Sequence, residues 1–271
     1  PNLGIRALLD PLVKKIDELG VTRLMNSGVQ KINSNHELAT EIVMESGEIF
    51  TADQIISTCG VVETEELFNS KELNYTQTEE GKFSVIETIS VFDGKPSDFG
   101  WDETIVFFND SEKFRYEQPE GSIDLSSGVI CLPENYQDPQ NVDIEEARLR
   151  ITNPANFSKW TSFKDVEYEQ EKEKCESQMR DKALSYLPNG NIQKNDFLSA
   201  TLMTDTFTPR TIKKYTHHAN GALYGSPKKS RTGSTSLKNL YLAGTDQGYI
   251  GIVGAMLGGI AVANNRILRP T

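Results

Sequence analysis

The C-terminal end of the chain carries the pattern that leaves the fewest options. Asn239-Leu240-Tyr241-Leu242-Ala243-Gly244 is a short apolar run of buried-strand type, and Thr245-Asp246 follows it. Then Gly248-Tyr249-Ile250-Gly251-Ile252-Val253-Gly254-Ala255-Met256-Leu257-Gly258-Gly259 runs into Ile260–Ala263. A strand, a glycine-rich turn and an apolar helix in that order form a physical device. Glycines at 248, 251 and 254 let the backbone turn tightly and let a bulky ligand approach main-chain N–H groups. The helix that starts there presents unpaired donors and the positive end of its dipole. Asp246, just past the strand, can accept hydrogen bonds from ligand hydroxyls. A ligand with a sugar-like chain and an electron-rich ring edge suits this arrangement. Two plainer readings compete. One is a buried helix whose glycines serve only helix–sheet contact. The other is a membrane span, but the apolar part from Gly248 to Ala263 is 16 residues with five glycines, short of the ~20 a span needs.

Charge narrows the classes of partner. Lys and Arg number 28 against 39 Asp and Glu, a net charge of −11. Such a field repels phosphate backbones and anionic lipid heads, so neither nucleic acid nor a polybasic membrane contact is expected. Apolar residues make up 37% of 271, enough to close a core at this length. Cys59, Cys131 and Cys175 form no C-x-x-C, which argues against a disulfide framework and a zinc site. No secretory leader is recognised, and the sequons at Asn74, Asn109 and Asn156 occur at about the frequency chance gives, so a reducing cytoplasm is the expectation. His217 and His218 are adjacent and on an extended segment point to opposite faces. No H-E-x-x-H or G-x-S-x-G occurs, and no motif pairs the carboxylates. Aromatic residues such as Phe107, Phe108 and Trp160 read as core rather than pocket.

The rest of the chain reads as alternating short elements. Ile5, Leu8, Leu9, Leu12, Val13, Ile16 and Leu19 make one apolar helical stripe, with a break or kink expected at Asp10-Pro11 and an end at Gly20. Strand-like runs follow at Val21–Met25 with Val29–Ile32, then Ala39–Met44 and Glu48–Ile56, separated by turns at 33–35 and 45–47. Residues 62–82 are acidic and polar, a plausible boundary. Beyond them come strands at Phe83–Phe92, Thr104–Phe108, Gly128–Leu132 and Ala147–Thr152. A helix over 164–187 places Cys175, Met179 and Ala183 in i+4 steps and closes at Pro188-Asn189-Gly190; its Glu/Lys run reads as a solvated face. A strand at Phe197–Met203 precedes a short helix toward Tyr215, with Thr208 as N-cap and Pro209 at the first position.

The C-terminal residues resemble the flavin motif of the phytoene desaturase and carotenoid isomerase family of FAD-dependent oxidoreductases. Upstream, Phe207-Thr208-Pro209-Arg210-Thr211, Tyr215-Thr216 and Gly221-Ala222-Leu223-Tyr224-Gly225 are similar to the stretch that precedes that motif, above all in the carotenoid isomerase and retinol saturase branch. Gly4-Ile5, Gly20-Val21, Val29 and Ile32, Ser46-Gly47-Glu48 and Ala52–Ile56 resemble the family's middle segment. The family's opening βαβ unit with G-x-G-x-x-G, which holds the FAD pyrophosphate, has no counterpart here. The resemblance therefore implies the C-terminal portion of such an enzyme. It also implies that Val29 meets the adenine through its backbone and that Asp246, with Gly244 at the strand end, binds the ribityl–pyrophosphate region. The main-chain N–H groups of Ile252 and Val253 would face the flavin ring, with Gly251 and Gly254 beside them among the cofactor-binding residues. Gly248-Tyr249 stands where the family has Pro-Gly. Tyr215, Tyr224 and the 83–204 region would wall the substrate.

The expected fold is mixed α/β. Residues 1–66 and 231–271 would supply later parts of an FAD-binding domain, and 67–230 a substrate domain with a largely antiparallel sheet and flanking helices. The implied parent activity is FAD-dependent hydride transfer or isomerisation on an apolar, polyene-like substrate, with this chain alone inactive and no catalytic acid or base assigned. The alternative is a flavin-free domain that binds a partner chain or self-associates, because apolar edges left by an absent first unit need covering. No metal is expected.

Overall fold

The computed structural model describes residues 4–68, 78–136, 145–187 and 198–268. The sequon at Asn74, the turn at Pro188-Asn189-Gly190 and the start of the expected strand at Phe197 lie outside them.

Helix α1 (Arg6–Glu18) carries the apolar stripe, and none of its residues is buried. It runs through Pro11 as one helix, so of the break or kink expected there no break forms. A single proline removes one backbone donor, and on an exposed helix water can satisfy the carbonyl one turn back. The end is as expected: Gly20 adopts φ +72°, its N–H donates to the Asp17 carbonyl, and the Val21 N–H reaches back to Ile16. That closure commits Val21 to the helix end. The strand expected over Val21–Met25 does not form, and Val21, Leu24 and Met25 stay exposed.

The meander that follows is antiparallel, in the order β1 (Val29–Ser34), β2 (Ala39–Met44), β3 (Ile49–Phe50). Asn35 builds the first turn by accepting from the Leu38 N–H at 2.9 Å, and Gly47 supplies φ +84° in the second. The third expected strand divides. Its second half, β4 (Ile55–Ser57), leaves the meander and pairs in parallel with β10 (Leu240–Leu242), Ile55 opposite Leu240 and Ser57 opposite Leu242. Ile32, Ala39, Ile55, Phe68, Leu237 and Leu240 share one buried cluster around this junction.

A five-stranded antiparallel sheet forms the larger core, in the order β6 (Ile105–Asn109), β7 (Ser127–Cys131), β8 (Glu146–Ala155), β5 (Ser84–Asp93), β9 (Thr201–Phe207). Strands β5 and β8 pair over their whole lengths, from Ser84 opposite Ala155 to Asp93 opposite Glu146. Alternation sends Ile86, Ile130, Leu149 and Ile151 into one buried cluster with Trp160 of α3 (Phe157–Ser162) and Cys175, Met179 and Ala183 of α4 (Asp165–Leu184). The i+4 triplet is the buried face of α4, as its spacing requires. Strand β9 lies later than expected because 198–200 are helical.

Two further helices are α2 (Val61–Leu67), which packs near β1, and α5 (Pro209–Thr216), with Thr208 as N-cap, which packs on α3, β5 and β9. The last is α6 (Gly251–Val262). The architecture is mixed α/β, with antiparallel sheets and flanking helices. Among the described residues no helix is long and apolar enough to cross a membrane.

Candidate functional site

Asp246 is the point at which three distant segments meet. It is 4% exposed and sits in the 3-10 turn Thr245–Gln247 just past β10. Its Oδ2 accepts from the Val61 N–H at 2.7 Å. Its Oδ1 accepts from the Ser226 N–H at 2.9 Å and from Lys229 Nζ at 3.2 Å. A carboxylate offers about four acceptor positions, so three are already taken by the protein. Gly225 makes the approach possible: at φ +62°, a Cβ there would lie 2.3 Å from Asp246 Oδ1.

Val61 opens α2, directly after Gly60 (φ +111°). A Cβ on Gly60 would collide with Glu63 Oε2 at 2.2 Å and crowd the His218 ring at 3.0 Å. The missing side chain leaves room for that pair, whose His218 Nδ1 and Glu63 Oε1 lie 3.5 Å apart. The Ala219 N–H also donates to Glu63 Oε1 at 2.7 Å. The Glu63 contact raises the His218 imidazole above its ordinary range, against burial. Burial pushes the Glu63 carboxyl up, but His218 and the Ala219 N–H together hold it below its ordinary range. His218, Gly60, Thr58, Thr245 and Asp246 enclose a polar cavity of about 20 Å³ beyond the carboxyl ends of β4 and β10, room for about one water.

The glycine-rich turn leads from this cavity into α6. Gly248 and Gly251 both have positive φ, +86° and +77°. No side chain caps α6, so its first N–H groups stay unpaired within the helix. Gly251 has open space where a Cβ would stand, while at Gly254 a Cβ would meet the Tyr249 carbonyl carbon at 2.7 Å. Gly254 and Gly258 therefore serve close packing, and Gly251 faces an opening.

The second feature is an apolar pocket of about 360 Å³ at the five-stranded sheet, lined among others by Phe83, Phe107, Phe114, Tyr116, Asn153 and Tyr224. Phe83 and Tyr224 stack in parallel, with centroids 5.9 Å apart and planes 4° apart. Lys229 donates to the Tyr224 carbonyl as well as to Asp246, so one ammonium joins the pocket wall to the turn before α6.

The expected site residues divide accordingly. Gly244 and Asp246 lie at the 3-10 turn after β10, Gly251, Ile252, Val253 and Gly254 form the first turn of α6, and Tyr224 lines the apolar pocket. Tyr215 is 71% exposed, lies outside that pocket's lining, and has Lys214 over its ring. Val29 is in β1 opposite Met44 and takes no part in the bonds around Asp246. Phe107, read as core, is 77% exposed at the pocket, whereas Trp160 is core. Arg210 of the Thr-Pro-Arg-Thr stretch donates to the carbonyls of Trp160 (2.6 Å) and Phe163, so it ties α5 to α3. Ser226, Val61 and Lys229 went unread because two of them act through backbone N–H groups, which no side-chain pattern records. Burial pushes the thiols of Cys131 and Cys175 up, the latter to about 11, which makes them poor nucleophiles. Among the described residues no group of three metal-ligating side chains is gathered.

No family model matches the chain, and no curated protein matches it in sequence. Among solved structures, the PF1083 protein of Pyrococcus furiosus is 18% identical with a TM-score of 0.48; the match covers 96% of this chain and 50% of that one. BrvH, a flavin-dependent halogenase from Brevundimonas sp. BAL3, is 10% identical with a TM-score of 0.44, covering 96% and 40%. PqsL of P. aeruginosa, in complex with 2-aminobenzoylacetate, is 13% identical with a TM-score of 0.46, covering 95% and 56%. The chain thus spans about half the length of these proteins. At these scores the likenesses decide nothing about activity or cofactor.

Proposed function

We propose that these residues carry the substrate face and the ring-side turn of an FAD-dependent oxidoreductase of the phytoene desaturase and carotenoid isomerase type, acting on an apolar, polyene-like substrate. The observation that supports this is the Lys229 bridge, which joins the aromatic pocket at Tyr224 to Asp246. An apolar binding space and an uncapped helix N-terminus are thereby held in one bonded frame.

The residues present fit the ring side of a flavin. Gly251 leaves open space at the uncapped start of α6, and the Ile252 and Val253 N–H groups would hold the ring edge there. Asp246 fits less well as a ribityl acceptor, since three protein donors already occupy it; its part is to hold the turn. When bound, FAD would supply the two-electron acceptor. The chain's own residues position: the aromatic rings exclude water from the substrate, and Lys229 fixes Tyr224 relative to the turn. The pyrophosphate cradle would come from a G-x-G-x-x-G unit that these residues do not contain. Amide NMR tests the reading on the full chain titrated with FAD. Shifts confined to Gly251–Gly254 and the adjoining turn are expected; unmoved amides there at saturating flavin overturn it.

A second reading is favoured by one observation: the exposed apolar residues Leu9, Leu12, Val13 and Leu19 of the first helix and Ile252, Val253, Leu257 and Ile260 of α6. We propose that these faces are covered by the parent's first unit, by a partner chain or by a second copy. Light scattering tests it, and a monodisperse monomer at high concentration contradicts it.

A further inference from the structure

One wall of the aromatic pocket is tied to a carboxylate that does not line it. Upstream, the Leu223 N–H donates to the Phe83 carbonyl at 2.9 Å, which sets the stacked rings of Phe83 and Tyr224 on neighbouring segments. The loop that follows, 224–230, closes on Asp246. The Ser226 N–H donates to Oδ1 at 2.9 Å, and the Ser230 N–H donates to the Asp246 main-chain carbonyl at 2.8 Å. Between these two bonds, Lys229 Nζ donates to Oδ1 at 3.2 Å and folds back onto the Tyr224 carbonyl. The Lys229 stem lies along the glycine-rich turn, where a Cβ on Gly248 would stand 3.4 Å from the Lys229 Cβ. Asp246 itself is outside the pocket lining.

The Lys229 side chain is 23% exposed and that of Asp246 3%. Without the carboxylate, the ammonium is left half-buried with no counter-ion, and it gains by turning out to water. The Tyr224 carbonyl then loses its donor. We infer that Asp246 is a positioning residue of the aromatic pocket, acting through the loop 224–230: it holds Lys229 on the Tyr224 carbonyl and so sets Tyr224 against Phe83 for a ring-bearing apolar ligand. Binding in the pocket and the state of the turn before α6 are thereby coupled, and such a coupling runs equally in both directions. The inference rests on the pocket being a ligand site, as proposed above, and not on a flavin at α6.

The test titrates indole, a compact ring probe, into the full chain and follows the ring resonances of Phe83 and Tyr224. Asp246→Asn is expected to weaken indole about tenfold, Lys229→Met to weaken it by a similar factor, and the double variant to be no weaker than Asp246→Asn alone. Indole is also expected to shift the wild-type amides at 245–248, and those shifts should vanish in Lys229→Met at saturating indole. Asn135→Ala separates positioning from stability. Its amide donates to the Trp101 and Glu103 carbonyls at 2.9 and 2.6 Å, away from the 224–230 loop, so its loss should lower the melting temperature and leave the indole affinity alone. If Asp246→Asn does not fold, Lys229→Met carries the comparison. Unchanged affinity in either folded variant, additive losses in the double variant, or an equal loss in Asn135→Ala overturns the assignment to Asp246. Indole that moves neither ring of the wild type overturns the pocket as a ligand site, and the inference with it.

Discussion

The side chain of Asn239 pairs with the backbone of Ala39 in both directions: Oδ1 accepts the Ala39 N–H at 2.8 Å, and Nδ2 donates to the Ala39 carbonyl at 3.0 Å. One amide thereby replaces a strand neighbour for β2 and anchors β10 beside the meander. Asn239→Ala leaves both buried backbone groups of Ala39 unpaired, at a cost of about 2–4 kcal/mol. Urea denaturation should show it, and a loss under about 0.5 kcal/mol, the range of an ordinary surface substitution, would mean that the clamp is incidental.

Lys229→Met keeps the stem and removes the charge that joins Asp246 to Tyr224. Asp246 retains two N–H donors, so the fold should survive with a loss of about 1–3 kcal/mol. The pocket should loosen more than the fold. Hydrogen exchange should speed up at 223–226 before it does in β5 or β8; uniform change across the chain would count against the bridge.

The His218–Glu63 pair sets a pH window. A histidine raised from 6.5 in the folded state contributes fully below that value, and the contribution is lost as pH rises through the raised one. A glutamate lowered from 4.5 contributes above that value and loses it as pH falls through the lowered one. The unfolding free energy of the wild type should therefore exceed that of His218→Gln most between these two ordinary values, by about 0.5–1 kcal/mol, read from urea denaturation as a function of pH. The gap should close toward alkaline pH. A gap that widens as pH rises contradicts the pairing.

Gly251→Val meets no neighbour, because the space beside its Cβ is open. The cost lies in the backbone, at φ +77°, and should be about 1–2 kcal/mol. Its isopropyl group would occupy the space in front of the α6 N-terminus, so flavin-induced shifts at Ile252 and Val253 should vanish in the folded variant. Unchanged shifts would return α6 to a purely packing role.

The purified chain should be colourless and should self-associate. On the proposed flavin reading, these residues would supply only the ring-side contacts, with no G-x-G-x-x-G among them, and the first helix exposes Leu9, Leu12 and Val13. Leu12→Glu should reduce association seen by sedimentation at a given concentration. Stoichiometric flavin absorbance surviving gel filtration, or a Leu12→Glu variant that associates like the wild type, would go against these expectations.

Elements whose signals are local were legible. Thr208-Pro209 starts α5, Gly20 ends the first helix, and Cys175, Met179 and Ala183 mark the buried face of α4. The glycine-rich turn was legible too, since positive φ at 248 and 251 is a demand only glycine meets easily. What failed was pairing. Val21–Met25 has strand composition but no strand beside it, and Glu48–Ile56 reads as one strand because nothing local shows that Ile55 belongs with Leu240. The ligation of Asp246 escaped for the same reason. The aromatic pocket drew its residues from 83 to 224; the resemblance pointed to Tyr224, but Phe83, Phe107 and Phe114 were individually indistinguishable from core.

The Asn239–Ala39 clamp spans 200 residues of sequence, and that separation has a temporal meaning. During synthesis at about 5–20 residues per second, the meander waits roughly 10–40 s for the strand and amide that complete it. Through that interval β4 lacks its parallel partner and the Ala39 backbone lacks the amide that pairs with it. Newly made chains therefore pass through a stage in which the meander is finished in outline and sticky in fact, and the yield of folded protein should depend on how crowded the ribosomes making it are.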